Sequence, residues 1–401
     1  MKKVLSLTLA ALMSLSLAGC GGGSSAAATS AAAASEAASE AASEAPAETA
    51  AAAAASSDMK VAMITDYGDI TDKSFNQTTY EASKAFCDEN GIEFEYKKPA
   101  SDADADREAS IEDAISEGYN VIVMPGFAFA QAIADEAPLY PDVKFVALDV
   151  AQADLDSAAG GTFSADNVYS AVYKEELAGY MAGYAAVKLG YTKLGFLGGM
   201  AVPSVVRYGS GFVQGANDAA KELGNTADVE VKYVYGGQFY GDADITSVMD
   251  TWYQSGTEVV FACGGGIYSS AAEAAVKTGG KVIGVDVDQA ATIDGDYGEG
   301  ITVTSAMKGL AATVNTLLSA IRDGKWDEYK GKVETLGIVS DEPSENYVQL
   351  PDDTQWGDGF TQDDYKQLVA DLHSGKITVD NSIDALPTVD IAVDDQGSIK
   401  G

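Results

Sequence analysis

The stretch KVAMITDYGDITDKSFNQTTYEASKAFCDENGIEFEYK, residues 60–97, contains an apolar run, an amphipathic run and a second strand-like run in that order. The short apolar run at 60–65 predicts a β-strand, the run at 74–90 predicts a helix, and the run at 92–97 predicts a second strand. A helix of ten or more residues between two strands is typical of a right-handed crossover that makes the strands parallel. The stretch therefore predicts an α/β fold.

The same alternation continues along the chain, with a break at Gly-Gly-Thr-Phe-Ser, residues 160–164. Before the break, helical patterns at 105–117 and 127–140 alternate with strand-like runs at 120–124 and 144–148. After it, a long helical pattern at 168–189 opens a second series, with strands near 193–199, 228–235, 258–263, 281–286 and 301–305. Because the pattern occurs twice, we predict two lobes, each a doubly wound parallel sheet.

Polar or glycine-rich clusters follow several predicted strands at the point where each strand ends. Asp66, Phe127 and Asp149 follow strands of the first series, and residues 264–266 and Asp286 follow strands of the second. Open parallel sheets bind ligands at the carboxyl ends of their strands. We therefore expect these residues to converge on one cleft between the lobes.

The loop after the first strand contains three aspartates, and we do not expect them to share one role. Only Asp66 lies immediately beyond the strand end, where it can face the cleft. Asp69 and Asp72 are placed to shape the turn and cap the helix that begins near Ser74.

The N-terminus predicts export and anchoring. Lys2 and Lys3 precede an apolar run that is too short to span a bilayer and ends in Leu-Ala-Gly-Cys20. This ending resembles a bacterial lipobox, in which the cysteine carries the lipid after cleavage. We predict a signal peptide at residues 1–19, a lipidated Cys20 with a flexible Ala/Ser/Glu linker at 20–57, and an extracytoplasmic lipoprotein on the bacterial cell membrane.

The net charge limits the kinds of binding partner, and the cysteine content indicates whether a disulfide is expected. The chain has 61 acidic and 25 basic residues, a formal net charge of −36, which disfavours binding to nucleic acid or anionic lipid. Besides Cys20, only Cys87 and Cys263 are present. Two isolated cysteines in predicted regular structure are more typical of buried free thiols than of a disulfide.

Neither catalysis nor a metal site is predicted. The only histidine, His373, lies in a polar helical stretch that we interpret as surface, so His-based nucleophilic triads and His metal clusters are disfavoured. Asp102, Asp104 and Asp106 resemble the opening of a calcium loop. However, Arg107 stands where the loop needs glycine and Asp113 where it needs glutamate.

The glycine run Gly264, Gly265 and Gly266 precedes a predicted helix and allows close backbone approach. The lysine and the Ser/Thr of a phosphate-binding loop are missing, as is the spaced glycine pattern of dinucleotide sites. The run therefore favours close approach to a neutral ligand, and no cofactor is predicted.

Five motifs together resemble the basic membrane protein family. They are DKSFNQ at 72–77, GGMAVPSVVRYGSGFVQG at 198–215, FACGGGIY at 261–268, VIGVDVDQ at 282–289 and TSAMKG at 304–309. The resemblance implies a type I periplasmic-binding-protein fold and a lipoprotein subunit of an ABC importer. Such a protein binds a purine nucleoside between two lobes and delivers it to permease subunits, as a monomer and without catalysis.

The resemblance also implies roles for residues of the first lobe. Asp66, Asn76 and Asp149 are expected to contact the edge of the base, and Phe75 is expected to stack on its face. Base edges carry both donors and acceptors, which suits carboxylate and amide side chains.

The resemblance further implies that Asp286 and Lys308 hold the ribose hydroxyls. The run Gly-Gly-Gly-Ile-Tyr departs from the family pattern at the second stacking position, so either Tyr268 or Phe261 is a candidate there. Phe127 is a further aromatic candidate for the cleft.

The fold implied by the resemblance has three crossings between lobes, which form a hinge. On this basis we predict a first lobe of residues 58–165 plus 306–325 and a second of residues 166–305 plus 326–401. Two other functions remain open from the residues alone. One is a receptor for another polar small molecule, such as a sugar or signalling compound, and the other is a carboxylate-dependent nucleoside hydrolase.

Overall fold

The computed structural model describes residues 58–66 and 68–400. The predicted signal peptide, Cys20 and the linker to residue 57 lie outside the described residues. Within those two ranges no helix is both long and apolar enough to cross a membrane.

The first lobe is built on a six-stranded sheet in which every pairing is parallel. Its strands, in sheet order, are β11 (Lys332–Leu336), β5 (Val168–Tyr173), β4 (Lys144–Leu148), β3 (Val121–Pro125), β1 (Lys60–Ile64) and β2 (Glu93–Lys97). The central strands β3, β4 and β5 are almost wholly buried because helices cover both faces.

The second lobe is built on a seven-stranded sheet, parallel except for its short edge strand β12. Its strands, in sheet order, are β12 (Val348–Gln349), β10 (Thr302–Lys308), β9 (Lys281–Asp286), β8 (Val259–Cys263), β6 (Lys193–Gly198), β7 (Glu230–Tyr235) and β13 (Ala392–Ser398). The C-terminal segment therefore forms an edge strand of this sheet, beside β7.

The described α-helices lie between these strands, as the crossovers require. They are α1 (Phe75–Asn90), α2 (Asp104–Ser116), α3 (Ala130–Glu136), α4 (Gln152–Ala158), α5 (Glu175–Lys188), α6 (Pro203–Leu223), α7 (Ala243–Gln254), α8 (Tyr268–Ala275), α9 (Ala290–Tyr297), α10 (Leu310–Arg322) and α11 (Gln362–His373). Short 3₁₀ turns occur at Phe127–Phe129, Trp326–Glu328 and Pro343–Glu345. The two doubly wound sheets confirm the predicted fold class.

The predicted helix at 168–189 is wrong in its first part. Residues Val168–Tyr173 form strand β5, and the helix begins only at Glu175. The segment VYSAVY is rich in β-branched and aromatic residues and is buried on both faces, which favours a strand. The apolar pattern of α5 continues directly from it, so the two elements read as one helix in the sequence.

The lobe boundaries also differ from the prediction. Strands β5 and β11 belong to the first sheet although their residues were assigned to the second lobe, and β10 belongs to the second sheet. The glycine-rich break at 160–164 is a loop that precedes β5 within the first lobe, so it does not mark the crossing. The crossings instead follow β5, β10 and β11, where no composition change signals them.

The three crossing segments are hydrogen-bonded to one another. The amide of Lys174 donates to Leu336 O at 2.9 Å, that of Tyr347 to Gly337 O at 3.0 Å, and that of Gly309 to Tyr347 O at 2.7 Å. The predicted three-segment connection is therefore present as one hydrogen-bonded unit.

Helices α5 and α6 of the second lobe are in backbone contact at four glycines. A methyl group at any of them would lie within about 2 Å of a carbonyl oxygen on the facing helix. The contacts are Gly179 with Tyr208 O and Gly183 with Phe212 O at 2.1 Å, and Gly211 with Glu176 O and Gly215 with Tyr180 O at 2.0 Å. This contact fixes the position of α6, which forms one wall of the cleft.

Candidate functional site

The start of helix α1 is organised by Asp72, as predicted for a capping residue. Its Oδ1 accepts hydrogen bonds from the amides of Ser74 at 2.9 Å and Gln77 at 3.0 Å, and its Oδ2 accepts one from the amide of Asn76 at 2.9 Å. These bonds satisfy amides that a helix N-terminus leaves without intrahelical partners. The hydroxyl of Ser74 is therefore not needed for capping.

That hydroxyl instead reaches the second lobe. Ser74 Oγ donates to Asp286 Oδ2 at 2.6 Å, and Gln289 Nε2 donates to the carbonyl oxygen of Lys73 at 3.0 Å. Lys73 has a φ of 56°, a conformation uncommon for a residue other than glycine. The turn before α1 thus holds the two lobes in contact across the cleft.

A cavity lies between the lobes, at the carboxyl ends of strands from both sheets. Including space open to solvent, it leaves about 580 Å³ free of atoms. Eight of the predicted site residues line it, namely Asp66, Phe75, Asn76, Phe127, Asp149, Gly265, Asp286 and Lys308. The rule that polar strand ends converge on one cleft therefore predicted its location.

Asp149 and Asp286 occupy matching positions in the two lobes. Asp149 directly follows β4 and Asp286 ends β9, and both have left-handed backbones with φ of 64° and 67°. This conformation costs free energy for a residue with a Cβ and persists only where the surroundings impose it. In each lobe the turn aims a carboxylate into the cavity.

The ammonium group of Lys308, at the end of β10, lies among three carboxylates. Its Nζ is 2.6 Å from Asp149 Oδ2, 3.6 Å from Glu175 Oε1 and 3.7 Å from Asp286 Oδ1. Burial alone would lower the pKa of Lys308, but these carboxylates outweigh it and raise that pKa above its usual value. The lysine is therefore charged, and it lies 4.5 Å from the ring centroid of Phe75.

Two of the carboxylates near Lys308, those of Asp286 and Glu175, are destabilised in their charged form by burial. Burial raises the pKa of Asp286, although Lys308 and the bond from Ser74 oppose this. Burial also raises the pKa of Glu175, against the effect of Arg207, whose Nε lies 2.6 Å from Glu175 Oε2. The cavity is thus backed by a buried network of charges of both signs.

Two buried acceptors in the cavity have no hydrogen-bond partner among the described residues, Asn76 Oδ1 and Asp149 Oδ1. The Asn76 amide is oriented by its Nδ2, which donates to Asp72 Oδ2 at 3.0 Å and leaves the oxygen available. Buried acceptors without partners are costly and uncommon. These two atoms are therefore positioned to receive donors from a ligand.

Asp66 lies against Gly126, the residue after β3. A methyl group at Gly126 would lie 1.7 Å from Asp66 Oδ2, and Gly126 has a φ of 131°. Only glycine satisfies both constraints. The Asp66 carboxylate therefore occupies the space that any larger residue at position 126 would fill.

The two aromatic candidates for the second stacking position do not line the cavity. Phe261 is fully buried among Phe196, Tyr208 and Phe212, with ring centroids 5.4 to 5.9 Å away. Tyr268 starts α8 and belongs to a core cluster on the other face of the second sheet. Phe261 thus packs against α6, which carries Tyr208 and Phe212.

Phe239 lines the cavity from the second lobe and was missed from the sequence. Methyl groups at Gly199 and Gly264 would lie 2.5 Å and 3.1 Å from its Cδ1, and its carbonyl oxygen accepts from the amide of Gly266 at 2.9 Å. The glycine run thus makes room for a side chain of its own lobe. Applying the strand-end rule to β7, which ends at Tyr235, would have found Phe239.

The first turns of α6 form part of this wall through Ser204, Val205 and Tyr208, and Val202 before the helix and Cys263 at the end of β8 also line the cavity. Cys263 and Cys87 are both buried and form no disulfide among the described residues, which confirms the prediction of free thiols. Burial raises the pKa of Cys87 to about 12, so it is an inert thiol at neutral pH.

The residues weighed for catalysis and metals lie elsewhere. His373 is exposed as predicted, and its Nδ1 is 2.8 Å from Asp341 Oδ1 on the surface. Over residues 58–66 and 68–400 no group of three or more histidine, cysteine, aspartate or glutamate side chains is arranged to hold a metal ion.

Comparisons with known proteins agree with this architecture. The Bmp family model, described as ABC transporter substrate-binding protein PnrA-like, matches residues 59–355. The ABC transporter nucleoside-binding protein BmpA of Lactococcus lactis subsp. cremoris is 29% identical over 286 residues, covering 67% of this chain and 77% of that protein.

Two further proteins are similar. An uncharacterised lipoprotein of Pyrococcus abyssi is 27% identical over 290 residues, which is 70% of this chain and 67% of that protein. The crystal structure of an ABC transporter solute-binding protein from Aeropyrum pernix K1 superposes with a TM-score of 0.63 at 21% identity. It covers 80% of this chain and 87% of that one, and it supports the type I periplasmic-binding fold.

Proposed function

This chain belongs to the Bmp family of PnrA-like ABC transporter substrate-binding proteins, and we propose that it binds a purine nucleoside in the cavity between its lobes. The bound ligand is then delivered to the permease of an ABC importer. No chemical step on the ligand is part of this proposal.

The observation that carries the proposal is the combination of free acceptors and a charged donor in one cavity. Asn76 Oδ1 and Asp149 Oδ1 have no hydrogen-bond partner among the described residues, and Lys308 and Asp286 line the same cavity. A nucleoside offers N–H donors on its base and vicinal hydroxyls on its ribose, which both donate and accept. A nucleoside can therefore donate from its base to the two free acceptors and form hydrogen bonds from its ribose to Lys308 and Asp286.

For the base, we assign Asp66, Asn76 and Asp149 to its polar edge and Phe75 to its face. Phe75 comes from the first lobe and Phe239 from the second, and both line the cavity. A flat ring bound between the lobes can contact both of them. Stacking on an aromatic side chain contributes roughly 1–3 kcal/mol per base.

For the ribose, we assign Asp286 and Lys308. The carboxylate accepts from the hydroxyls and the ammonium group donates to them. Ser74 already donates to Asp286, so the ribose shares this carboxylate with the first lobe. The ribose contact therefore adds to an existing contact between the lobes.

The charge of the cavity favours an uncharged ligand. Asp66, Asp72, Asp149 and Asp286 line it, with Lys308 as the one cationic side chain among the described lining residues. A phosphate group would meet this excess of carboxylates in a partly desolvated site. We therefore propose nucleosides, and not nucleotides, as the ligand class.

We propose further that the protein is a monomer anchored outside the cytoplasm by a lipid on Cys20. The Leu-Ala-Gly-Cys ending supports the lipid anchor, as does the similarity to a protein named a lipoprotein. Incorporation of radiolabelled palmitate into the wild type and not into Cys20→Ala tests the anchor.

Isothermal titration calorimetry with purine nucleosides, pyrimidine nucleosides, nucleoside monophosphates, free bases and pentoses tests the ligand class. We expect one purine nucleoside bound per chain and no heat from monophosphates. Binding of pentoses without nucleosides would overturn the proposal in favour of a sugar receptor. Steady release of free base, followed by chromatography, would overturn it in favour of a hydrolase.

A matched pair of variants tests the position of the base. Phe239→Ala is expected to weaken nucleoside binding about tenfold to a hundredfold, through the loss of stacking. Tyr240→Ala is the control, since its side chain is 63% exposed and does not line the cavity. Equal affinity of the two variants would remove Phe239 from the site.

A further inference from the structure

The C-terminal strap, which we define as residues 374–400, lies beyond the part of the chain that matches the family model. It leaves the end of α11 and runs along the second lobe. Gln214 Nε2 donates to Asp380 O at 2.8 Å, and the amide of Asp390 donates to Asn217 Oδ1 at 2.8 Å. The strap then adds strand β13 to the edge of the second sheet.

Strand β13 is mostly exposed, so it contributes little to the hydrophobic core. Its neighbour in the sheet is β7, which it pairs in parallel from Ala392 opposite Glu230 to Ser398 opposite Tyr235. Two parallel neighbours end at the same edge of the sheet. The end of the strap therefore lies beside the loop that leaves β7 and carries Phe239.

Contacts between the strap and this loop begin with the main chain. The amide of Ile399 donates to Tyr235 O at 2.8 Å. A methyl group at Gly237 would lie 2.7 Å from the carbonyl oxygen of Lys400, and Gly237 has a φ of 82°. The strap thus covers the first residues of the loop closely enough that glycine is required at position 237.

The side chain of Lys400 adds polar contacts between the strap and the loop that carries Phe239. Its Nζ donates to Gln238 Oε1 at 3.0 Å and forms an ion pair with the carboxylate of Asp242. Gln238 Nε2 donates in turn to Asp242 Oδ2 at 3.0 Å and to Tyr240 O at 2.9 Å, while Asp242 Oδ1 caps α7. These groups flank Phe239 on both sides in the chain.

We propose that the C-terminal strap sets the position of the Phe239 loop, with Lys400 as the positioning residue, and thereby adjusts the affinity of the cavity. Lys400 does not line the cavity and acts only through Gln238 and Asp242. The effect on ligand binding rests on the proposed function, because Phe239 is the assigned wall for the base. The effect on the loop itself does not depend on it.

Three substitutions in the purified full chain test the affinity. Lys400→Ala removes a partly exposed ion pair and is expected to weaken purine nucleoside binding about two- to fivefold. Lys400→Glu is expected to weaken binding more, because the glutamate places a like charge beside Asp242. Lys400→Arg keeps the positive charge and is expected to retain wild-type affinity. Lys221→Ala is the control, since it breaks the exposed Lys221–Asp390 ion pair, 3.0 Å, which joins the strap to α6 just before β13 begins.

Melting temperatures separate positioning from stability: we expect all four variants to melt within about 2 °C of the wild type, consistent with a partly exposed ion pair. Affinity losses that follow melting temperature, or an equal loss in Lys221→Ala, would overturn the proposal.

Hydrogen exchange of the ligand-free protein gives a second readout that does not depend on the ligand. The amides of Gly237, bonded to Gly199 O at 2.9 Å, and of Gly266, bonded to Phe239 O, report on the loop. Both should exchange faster in Lys400→Glu than in the wild type and in Lys221→Ala. Unchanged exchange at both amides would overturn the proposal. If the wild type bound no nucleoside, the proposed function alone would fail.

Discussion

Asp149 and Asp286 show how two similar positions in the two lobes acquire different properties. Both follow or end a central parallel strand, both have left-handed backbones, and both face Lys308. Asp149 makes the short contact with Lys308, 2.6 Å, and keeps one oxygen without a partner among the described residues. Asp286 is 3.7 Å from the same lysine and instead accepts a hydrogen bond from Ser74 of the other lobe.

In both residues the backbone places the carboxylate, while the neighbouring side chains decide its role. Asp149 is bound on one side by a cation and is open on the other, which suits contact with a ligand donor. Asp286 accepts a hydrogen bond from Ser74 and so already links the two lobes. The same turn thus carries the proposed ligand contact in one lobe and a contact between the lobes in the other.

Removing the shared partner should have the largest effect on stability. Lys308→Met leaves Asp149 and Asp286 buried without their cation and leaves Glu175 paired with Arg207 alone, and we expect a loss of about 3–5 kcal/mol in the free energy of unfolding. Urea unfolding measures it. The control Lys332→Met breaks an exposed pair with Glu334, 3.5 Å, and should cost less than about 1 kcal/mol. Similar losses in the two variants would contradict a buried charge network.

Asp149→Asn should have the next largest effect. Its amide oxygen still accepts from Lys308 but without the charge of the ion pair, while Glu175 and Asp286 stay near the ammonium group, so we expect a loss of about 1–3 kcal/mol in urea unfolding. Nucleoside affinity should fall as well, because the free acceptor is lost from a position assigned to the base edge. A variant as stable as the wild type would show that Asp286 replaces Asp149 as the partner of Lys308.

Ser74→Ala tests the contact between lobes. It removes the donor to Asp286, and we expect a stability loss of about 1 kcal/mol together with a larger radius of gyration for the ligand-free protein. Small-angle X-ray scattering measures the second effect. Thr71→Ala is the control, since its hydroxyl bonds to Asp69 on the surface of the same loop. An unchanged radius would mean that other contacts keep the lobes together.

Asp286→Asn should have the smallest effect on stability and the clearest dependence on pH. Burial raises the pKa of Asp286 above its ordinary 3.8, so the folded state binds this proton more tightly than the unfolded state does. Its contribution to stability is complete below that ordinary value and is lost as the pH rises through the folded-state pKa. The variant should therefore gain stability relative to the wild type as the pH rises toward neutrality.

The same variant should lose nucleoside affinity at neutral pH, because the neutral amide accepts more weakly from ribose hydroxyls. Stability is measured by urea unfolding across pH, and affinity by calorimetry. A stability difference that stayed constant with pH would show that Asp286 is not protonated more readily in the folded state. Unchanged affinity would remove Asp286 from the ribose contact.

The position of the cavity could be predicted from the sequence because it depends on a local rule. Parallel strands and their polar ends are visible in the residue pattern, and most residues chosen in this way line the cavity. The capping role of Asp72 was also visible, since its distance from the helix start fixes which amides it reaches.

The rest depends on contacts between distant parts of the chain. The direction of Phe261 is set by the register of β8, and the path of β11 into the first sheet is set by pairing with β5. Phe239 is accommodated by glycines more than twenty residues away in sequence, at positions 199 and 264. None of these relations leaves a periodic signal in the sequence.

The four glycines between α5 and α6 limit how this chain can vary by mutation. Every substitution of glycine adds at least a Cβ, and here each Cβ would meet main-chain atoms that cannot be moved by changing a rotamer. Compensation would require displacing α6, and with it Arg207 and Tyr208. We therefore expect substitutions that alter ligand preference to accumulate at cavity-facing positions such as Val205 and Ser204, while the helix pair behind them tolerates almost none.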